Sequence, residues 1–172
     1  MIEVKAPNKY SEKGKFTIFL AGVIDQDRGE KWQSEVVKAL HDYEVLILNP
    51  RRERWLSDMK QEKDNPQFRE QVIWEQNGMN EADLILFVFA TTPETAKDSQ
   101  APVTLLELGQ HLKDKPMVCC PEGYWRKGNV DLMCELYGIK VYKSLDALLD
   151  KLKKRLDVID LYEKWNATNH RV

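Results

Sequence analysis

Pro102-Val103-Thr104-Leu105-Leu106-Glu107-Leu108-Gly109 is the stretch on which the fold turns. Ahead of it lies an unbroken apolar run, Leu84 to Ala90, which reads as a buried strand, and then a polar connection, Thr91 to Ala101. Proline is favoured at the first position of a helix, where its missing N–H would have no partner, so Pro102 predicts a helix running to Leu112. This places Glu107 in the early turns of a helix rising from the C-terminal end of a central strand. In open parallel sheets, ligands bind at that edge. A carboxylate near the positive end of a helix is also expected to stay ionised, as a nucleophile must be.

The same alternation extends in both directions. Lys15 to Ala21, ended by Gly22, predicts strand one, followed by a loop that carries Asp25 and Asp27. Glu30 to His41 predicts a helix with Trp32, Val36, Val37 and Leu40 at helical spacing. Glu44 to Leu48 is strand two, stopped by Asn49-Pro50. The longest irregular stretch, Asn49 to Asp64, carries Arg51, Arg52, Arg54 and Trp55, and loops of that length tend to be functional. Pro66 opens a helix to about Ala82, with Phe68, Val72, Ile73 and Met79 on one face. Pro116 to Cys120 predicts strand four, and Asn129 is placed as the N-cap of the next helix. Ile139 to Tyr142 predicts a short fifth strand. Ser144 caps a C-terminal helix bearing Leu145, Leu148, Leu149, Leu152 and Leu156.

Strands alternating with helices imply right-handed crossovers and a parallel sheet covered on both faces. The expected fold is α/β: a flavodoxin-like or Rossmann-like, doubly wound sheet of five strands with a C-terminal helical extension. A single domain is expected over residues 1–172, with its core at about 15–150 and the helical arm at about 151–172. The first dozen or so residues are polar and are assigned to the periphery. Leu156 to Val172, with Tyr162 and Trp165, reads as an extra packed helix or as an arm reaching a neighbouring subunit.

Composition narrows the function. Apolar residues make up 42% and charged residues 31%, the balance of an ordinary globular protein. A net charge of −2 speaks against a dedicated nucleic-acid surface, which needs a basic excess. No run approaches the roughly 20 apolar residues that span a bilayer, and Met1 to Asn8 lacks a signal-peptide pattern. A cytoplasmic protein with no membrane or nucleic-acid partner is expected. Cys119, Cys120 and Cys134 are an odd set without ligand spacing, so they read as buried thiols, and neither a disulfide framework nor a metal site is expected.

The sheet's C-terminal edge should carry Gly22, Asp25 and Asp27, then Asn49 and the arginines, then Glu107, then Tyr124 to Asp131. Neither nucleotide-binding glycine fingerprint is present. No Ser or Cys stands on a nucleophile elbow, and His41, His111 and His170 have no evident partners in the sequence, so hydrolase triads are disfavoured. Carboxylate chemistry remains.

Here the residues match a family. Phe19-Leu-Ala-Gly22, Trp74-Glu75, Glu81-Ala-Asp83 and Leu106-Glu-Leu-Gly109 resemble the nucleoside 2-deoxyribosyltransferase superfamily. Asn49-Pro-Arg-Arg52, Phe68-Arg-Glu-Gln-Val72, Pro102 to Gly109 and Cys119-Cys-Pro-Glu-Gly-Tyr-Trp-Arg-Lys-Gly-Asn-Val-Asp131 look like its deoxyribosyltransferase-like branch. The resemblance implies a retaining double displacement. A glutamate attacks the anomeric carbon of a deoxyribonucleoside, the base departs, and a second free nucleobase takes the sugar from the covalent ester. Glu107 matches the nucleophile. The family's second acid lies eight residues before the aspartate that opens strand three, which gives Glu75 here. Eight helical residues span about 12 Å, so Glu75 is the better candidate for handling the base and Asp83 is assigned a structural part.

The resemblance further implies substrate contacts from Phe19, Gly22, Asn49, Arg51, Arg52, Asn129 and Asp131, no metal or cofactor, and a homo-oligomer. Three positions depart from the family's pattern. Phe19 replaces a tyrosine that orients the nucleophile, Gln100-Ala101 replaces an aspartate, and Asp131 stands where relatives place an asparagine given to a neighbouring subunit's site. Arg51 and Arg52 could bind a 5′-phosphate bidentately, as a nucleoside monophosphate N-glycosidase with water as acceptor would require. They could also pair with acidic neighbours. Trp55, Tyr124 and Trp125 could stack on a base or pack under a loop. A catalytically silent nucleotide-binding regulator is the third reading.

Overall fold

A computed structural model describes residues 1–11, 14–24, 32–53, 60–114 and 116–169, with the backbone alone at 163, 167 and 169. Among the described residues six strands form one parallel sheet: β1 (Ile2–Lys5), β2 (Phe16–Gly22), β3 (Val45–Asn49), β4 (Leu84–Val88), β5 (Met117–Cys119) and β6 (Val141–Tyr142), in the order β1-β3-β2-β4-β5-β6. The five expected strands take the flavodoxin-like order. The sixth is β1, whose Ile2 to Lys5 pair with Leu46 to Asn49. The N-terminal residues are therefore an edge strand and not a loose periphery. Its short I-E-V-K alternation, half-buried and followed by Pro7, carries little strand signal.

Strands β3 and β4 are buried at every position, as expected where helices cover both faces. One face packs Phe19, Leu48, Ile85 and Phe87 against helices α2 (Pro66–Glu81), α4 (Pro102–His111) and α5 (Lys127–Leu136). The other packs Ile18, Leu20, Ile47 and Leu86 against α1 (Trp32–Ala39) and α6 (Leu145–Asn169). All five expected leucines of α6 are buried, Ser144 Oγ accepts from the Ala147 N–H at 3.2 Å, and the helix continues unbroken to Asn169.

Three expectations are corrected. The Thr91–Ala101 connection contains a short helix, α3 (Pro93–Ala96), closed by reciprocal bonds between Thr92 and Thr95. Asn129 is not an N-cap, because α5 begins at Lys127, whose N–H bonds Tyr124 O at 3.0 Å. Val72 and Ile73 of α2 are exposed, and the side facing inward carries Gln71, Trp74, Gly78 and Met79. That side approaches β2 closely, since a Cβ at Gly78 would lie 2.7 Å from the Phe19 ring. Asn65 caps the start of α2, its Oδ1 accepting from the N–H groups of Gln67 (3.1 Å) and Phe68 (3.0 Å).

Candidate active site

Helix α4 turns Thr104, Glu107, Leu108 and His111 inward, the i, i+3, i+4, i+7 stripe that such a helix normally fills with apolar side chains. Glu107 is only 9% exposed there. Among the described residues nothing donates a hydrogen bond to it, so its charge would be uncompensated. On α2, Gln71 is buried and Glu75 half-buried on the inward side. The two helices bring the carboxyl groups of Glu75 and Glu107 close enough to repel.

Burial pushes the Glu107 carboxyl from 4.5 up to about 8, and the Glu75 charge adds to the rise. Burial also raises Glu75, against the opposing pull of a Gln71 hydrogen bond and the Arg52 charge. The expectation that the helix keeps Glu107 ionised is therefore corrected. Pro102 opens α4, so Glu107 falls in the second turn, beyond the reach of the free N–H groups, and desolvation dominates. A single proton on Glu107, with Glu75 ionised, is the arrangement these environments favour.

Around Glu75 the polar contacts are dense. Gln71 Nε2 donates to Glu75 Oε1 at 2.8 Å and to Pro50 O at 2.8 Å. Arg52 donates from Nε to Gln71 Oε1 at 2.6 Å and from its terminal nitrogen to Glu70 Oε2 at 2.9 Å and Gln67 O at 3.4 Å. Arg52 is thus engaged by three residues of α2, the acidic Glu70 among them. Gln71 was not singled out from the sequence. The available signal was an amide at i−4 from Glu75, inside the quoted Phe68–Val72 motif.

Several of the other expected residues also make scaffold contacts. Phe19 is buried under α2 beside Trp74 (centroids 6.0 Å). Gly22 is required by packing, since a Cβ would lie 2.4 Å from Val88 O. Asn49 is buried, donating to Glu3 Oε1 at 2.7 Å and accepting from the Arg51 N–H at 3.0 Å. Asp131 pairs with Lys127 at 2.7 Å. Asn129 is exposed beside Arg126 on the rim of a groove of about 350 Å³ between α4 and α5, whose lining includes neither glutamate. Asp83 ties the start of β2, accepting from the Thr17 N–H at 2.8 Å.

Tyr124 packs on Phe89 and donates to Gln100 O at 2.8 Å, while Trp125 is exposed and donates to the same oxygen at 3.0 Å. Both aromatic residues hold the approach to α4, where Ala101 adopts a left-handed φ of 40°. His111 is not partnerless, since Nδ1 lies 2.7 Å from Asp114, and His41 contacts Asp42 at 3.0 Å. Asp25, Asp27, Arg54, Trp55 and His170 lie outside the described residues. Among the described residues no cluster could hold a metal ion and no helix is long and apolar enough to cross a membrane.

The family model described as "Nucleoside 2-deoxyribosyltransferase like" matches residues 15–124, a span that contains Gln71, Glu75 and Glu107. No curated protein matches the chain. Among solved structures it is similar to a conserved protein from Enterococcus faecalis V583, at 14% identity and a TM-score of 0.54, over 83% of this chain and 99% of that one. That likeness is one of fold.

Proposed function

The chain belongs to the nucleoside 2-deoxyribosyltransferase-like family, and from that premise we propose that it cleaves the N-glycosidic bond of a 2′-deoxyribonucleoside through Glu107 and Glu75 and passes the sugar to a second nucleobase. The family suggests chemistry of the glycosyltransferase or glycosidase type. The observation that carries the finer reading is the carboxyl pair on the inward sides of α2 and α4, Glu107 buried and Glu75 half-buried, in which the Glu75 charge helps to hold the proton on Glu107. Two such groups in unlike environments divide the roles of acid and nucleophile.

In this reading substrate binding moves the proton from Glu107 to Glu75. The Glu107 carboxylate then attacks C1′, the bond from C1′ to the base breaks, and Glu75 delivers the proton to the departing base nitrogen. An acceptor base reverses the step. Its ring nitrogen attacks C1′, the ester bond breaks to regenerate the Glu107 carboxylate, and the acceptor's N–H proton passes to Glu75. The engagement of Arg52 by Gln71, Glu70 and Gln67 favours a nucleoside without a 5′-phosphate.

Incubation with deoxyadenosine and free cytosine, followed by chromatography, tests the proposal. Deoxycytidine and adenine are expected, and Glu107→Gln should abolish both. Adenine without deoxycytidine would replace the acceptor base by water. Absence of either product, together with a similar failure on deoxynucleoside monophosphates, would leave a binding protein.

A further inference from the structure

We infer that Gln71, locked in place by Arg52, is the positioning residue of Glu75, presenting one carboxylate oxygen to the reaction while holding the other. The inference rests on the reading of Glu75 as the group that handles the base.

A glutamine amide can sit in either of two orientations, and here the neighbours leave one. Arg52 only donates, so the Gln71 atom 2.6 Å from its Nε must be the carbonyl oxygen. Pro50 O only accepts, so the atom 2.8 Å from it must be the amide nitrogen. The second N–H of that nitrogen then has one destination, Glu75 Oε1 at 2.8 Å. A reversed amide would set an NH2 group against the guanidinium and a carbonyl against two acceptors. Arg52 is itself fixed by Glu70 and Gln67 and is only 9% exposed in its side chain.

The consequence for Glu75 is an asymmetric carboxylate. Oε1 is held by Gln71, which sits one helical turn away and is tied at its far end to the backbone leaving β3. Among the described residues Oε2 accepts no hydrogen bond, so it is the oxygen left for a ligand. The titratable groups facing Glu75 are Arg52, from the connection after β3 and paired with Glu70, and Glu107 of α4, whose carboxyl the Glu75 charge pushes up. A donor on Oε1 stabilises the carboxylate against its burial, which keeps Glu75 ionised while Glu107 holds the proton and sets how readily Glu75 later takes it.

The decisive measurement is a titration of the full chain labelled with 13C at glutamate Cδ, with the Glu75 signal assigned by its loss in Glu75→Gln. Gln71→Leu is expected to raise the Glu75 midpoint, and Arg52→Lys, which keeps the charge but loses the Nε donor, to raise it less. In transfer assays Gln71→Leu should lower kcat by about tenfold or more with little change in KM. The limb of the pH profile that reports Glu75 should move with the NMR midpoint. An unchanged Glu75 midpoint in Gln71→Leu would overturn the inference, as would a purely KM effect. If Gln71→Leu does not fold, Arg52→Lys and Gln71→Met answer the same question. Wild-type protein without turnover would sink the proposed reaction, while the titration would still decide whether Gln71 governs Glu75.

Discussion

Gly78 of α2 lies over the Phe19 ring of β2 so closely that a Cβ at position 78 would stand 2.7 Å from it. Alanine is the better helix former by about 1 kcal/mol, so glycine here serves the contact and not the helix. Gly78→Ala should lift α2 from the sheet, destabilise the fold by about 1–3 kcal/mol, and displace Glu75 one turn away. Phe19→Leu should relieve part of that loss. A double-mutant cycle in urea would show a coupling energy clearly different from zero, and simple additivity would mean that α2 is not seated on Phe19.

Glu107 should make the fold less stable as the solution becomes more basic. With a folded pKa of about 8 against an ordinary 4.5, the native state holds a proton that the unfolded chain has released throughout that window. The stabilisation is thus complete below about 4.5 and is lost progressively as pH rises to about 8, on the order of a few kcal/mol in all. Glu107→Gln should flatten this slope and raise the melting temperature at pH 8 while removing turnover. Thermal scans of both proteins across pH 5 to 9 check it, and parallel curves would refute the burial of an unpaired carboxyl.

Asn65→Ala should lower stability by about 1 kcal/mol, because two N–H groups at the start of α2 lose their acceptor. Asn65→Ser should recover most of it. Urea midpoints with an unchanged slope are the relevant readout.

Cysteine chemistry offers an independent check on packing. All three thiols are buried, and burial pushes Cys120 up to about 12 and Cys134 up to about 11. Thiolate is the reactive form, so a maleimide or disulfide reagent at pH 8 should leave the native protein unlabelled and modify three groups after denaturation. Rapid labelling of the native chain would contradict the core described above.

Elements governed by local chemistry could be read directly from the sequence. Pro66 and Pro102 open their helices, Ser144 caps α6, and the apolar runs of β2 to β5 form strands where expected. What escaped depends on partners distant in the chain. β1 exists because β3 offers it an edge, and Phe19 is buried because Gly78 admits it. Val72 and Ile73 suggested the wrong inward side of α2, since that side is chosen by Trp74 and Gly78 against the sheet and by Gln71 against Arg52. Glu75 and Glu107 stood out through family motifs. The amide that holds Glu75 did not, because only the fold brings Arg52 to it.

The Trp74 indole donates to Asn8 O at 2.9 Å, Tyr10 meets its ring edge-on at 5.8 Å, and Glu3 holds Asn49. The stretch that carries the family likeness, 15–124, contains none of Glu3, Asn8 or Tyr10, and it also ends before α5 and α6. Cloning that stretch alone would give a fragment whose central helix has lost its clasp and whose sheet has lost a border strand and much of its cover. Expression work on this chain should therefore start at Met1 and place any affinity handle at the other terminus.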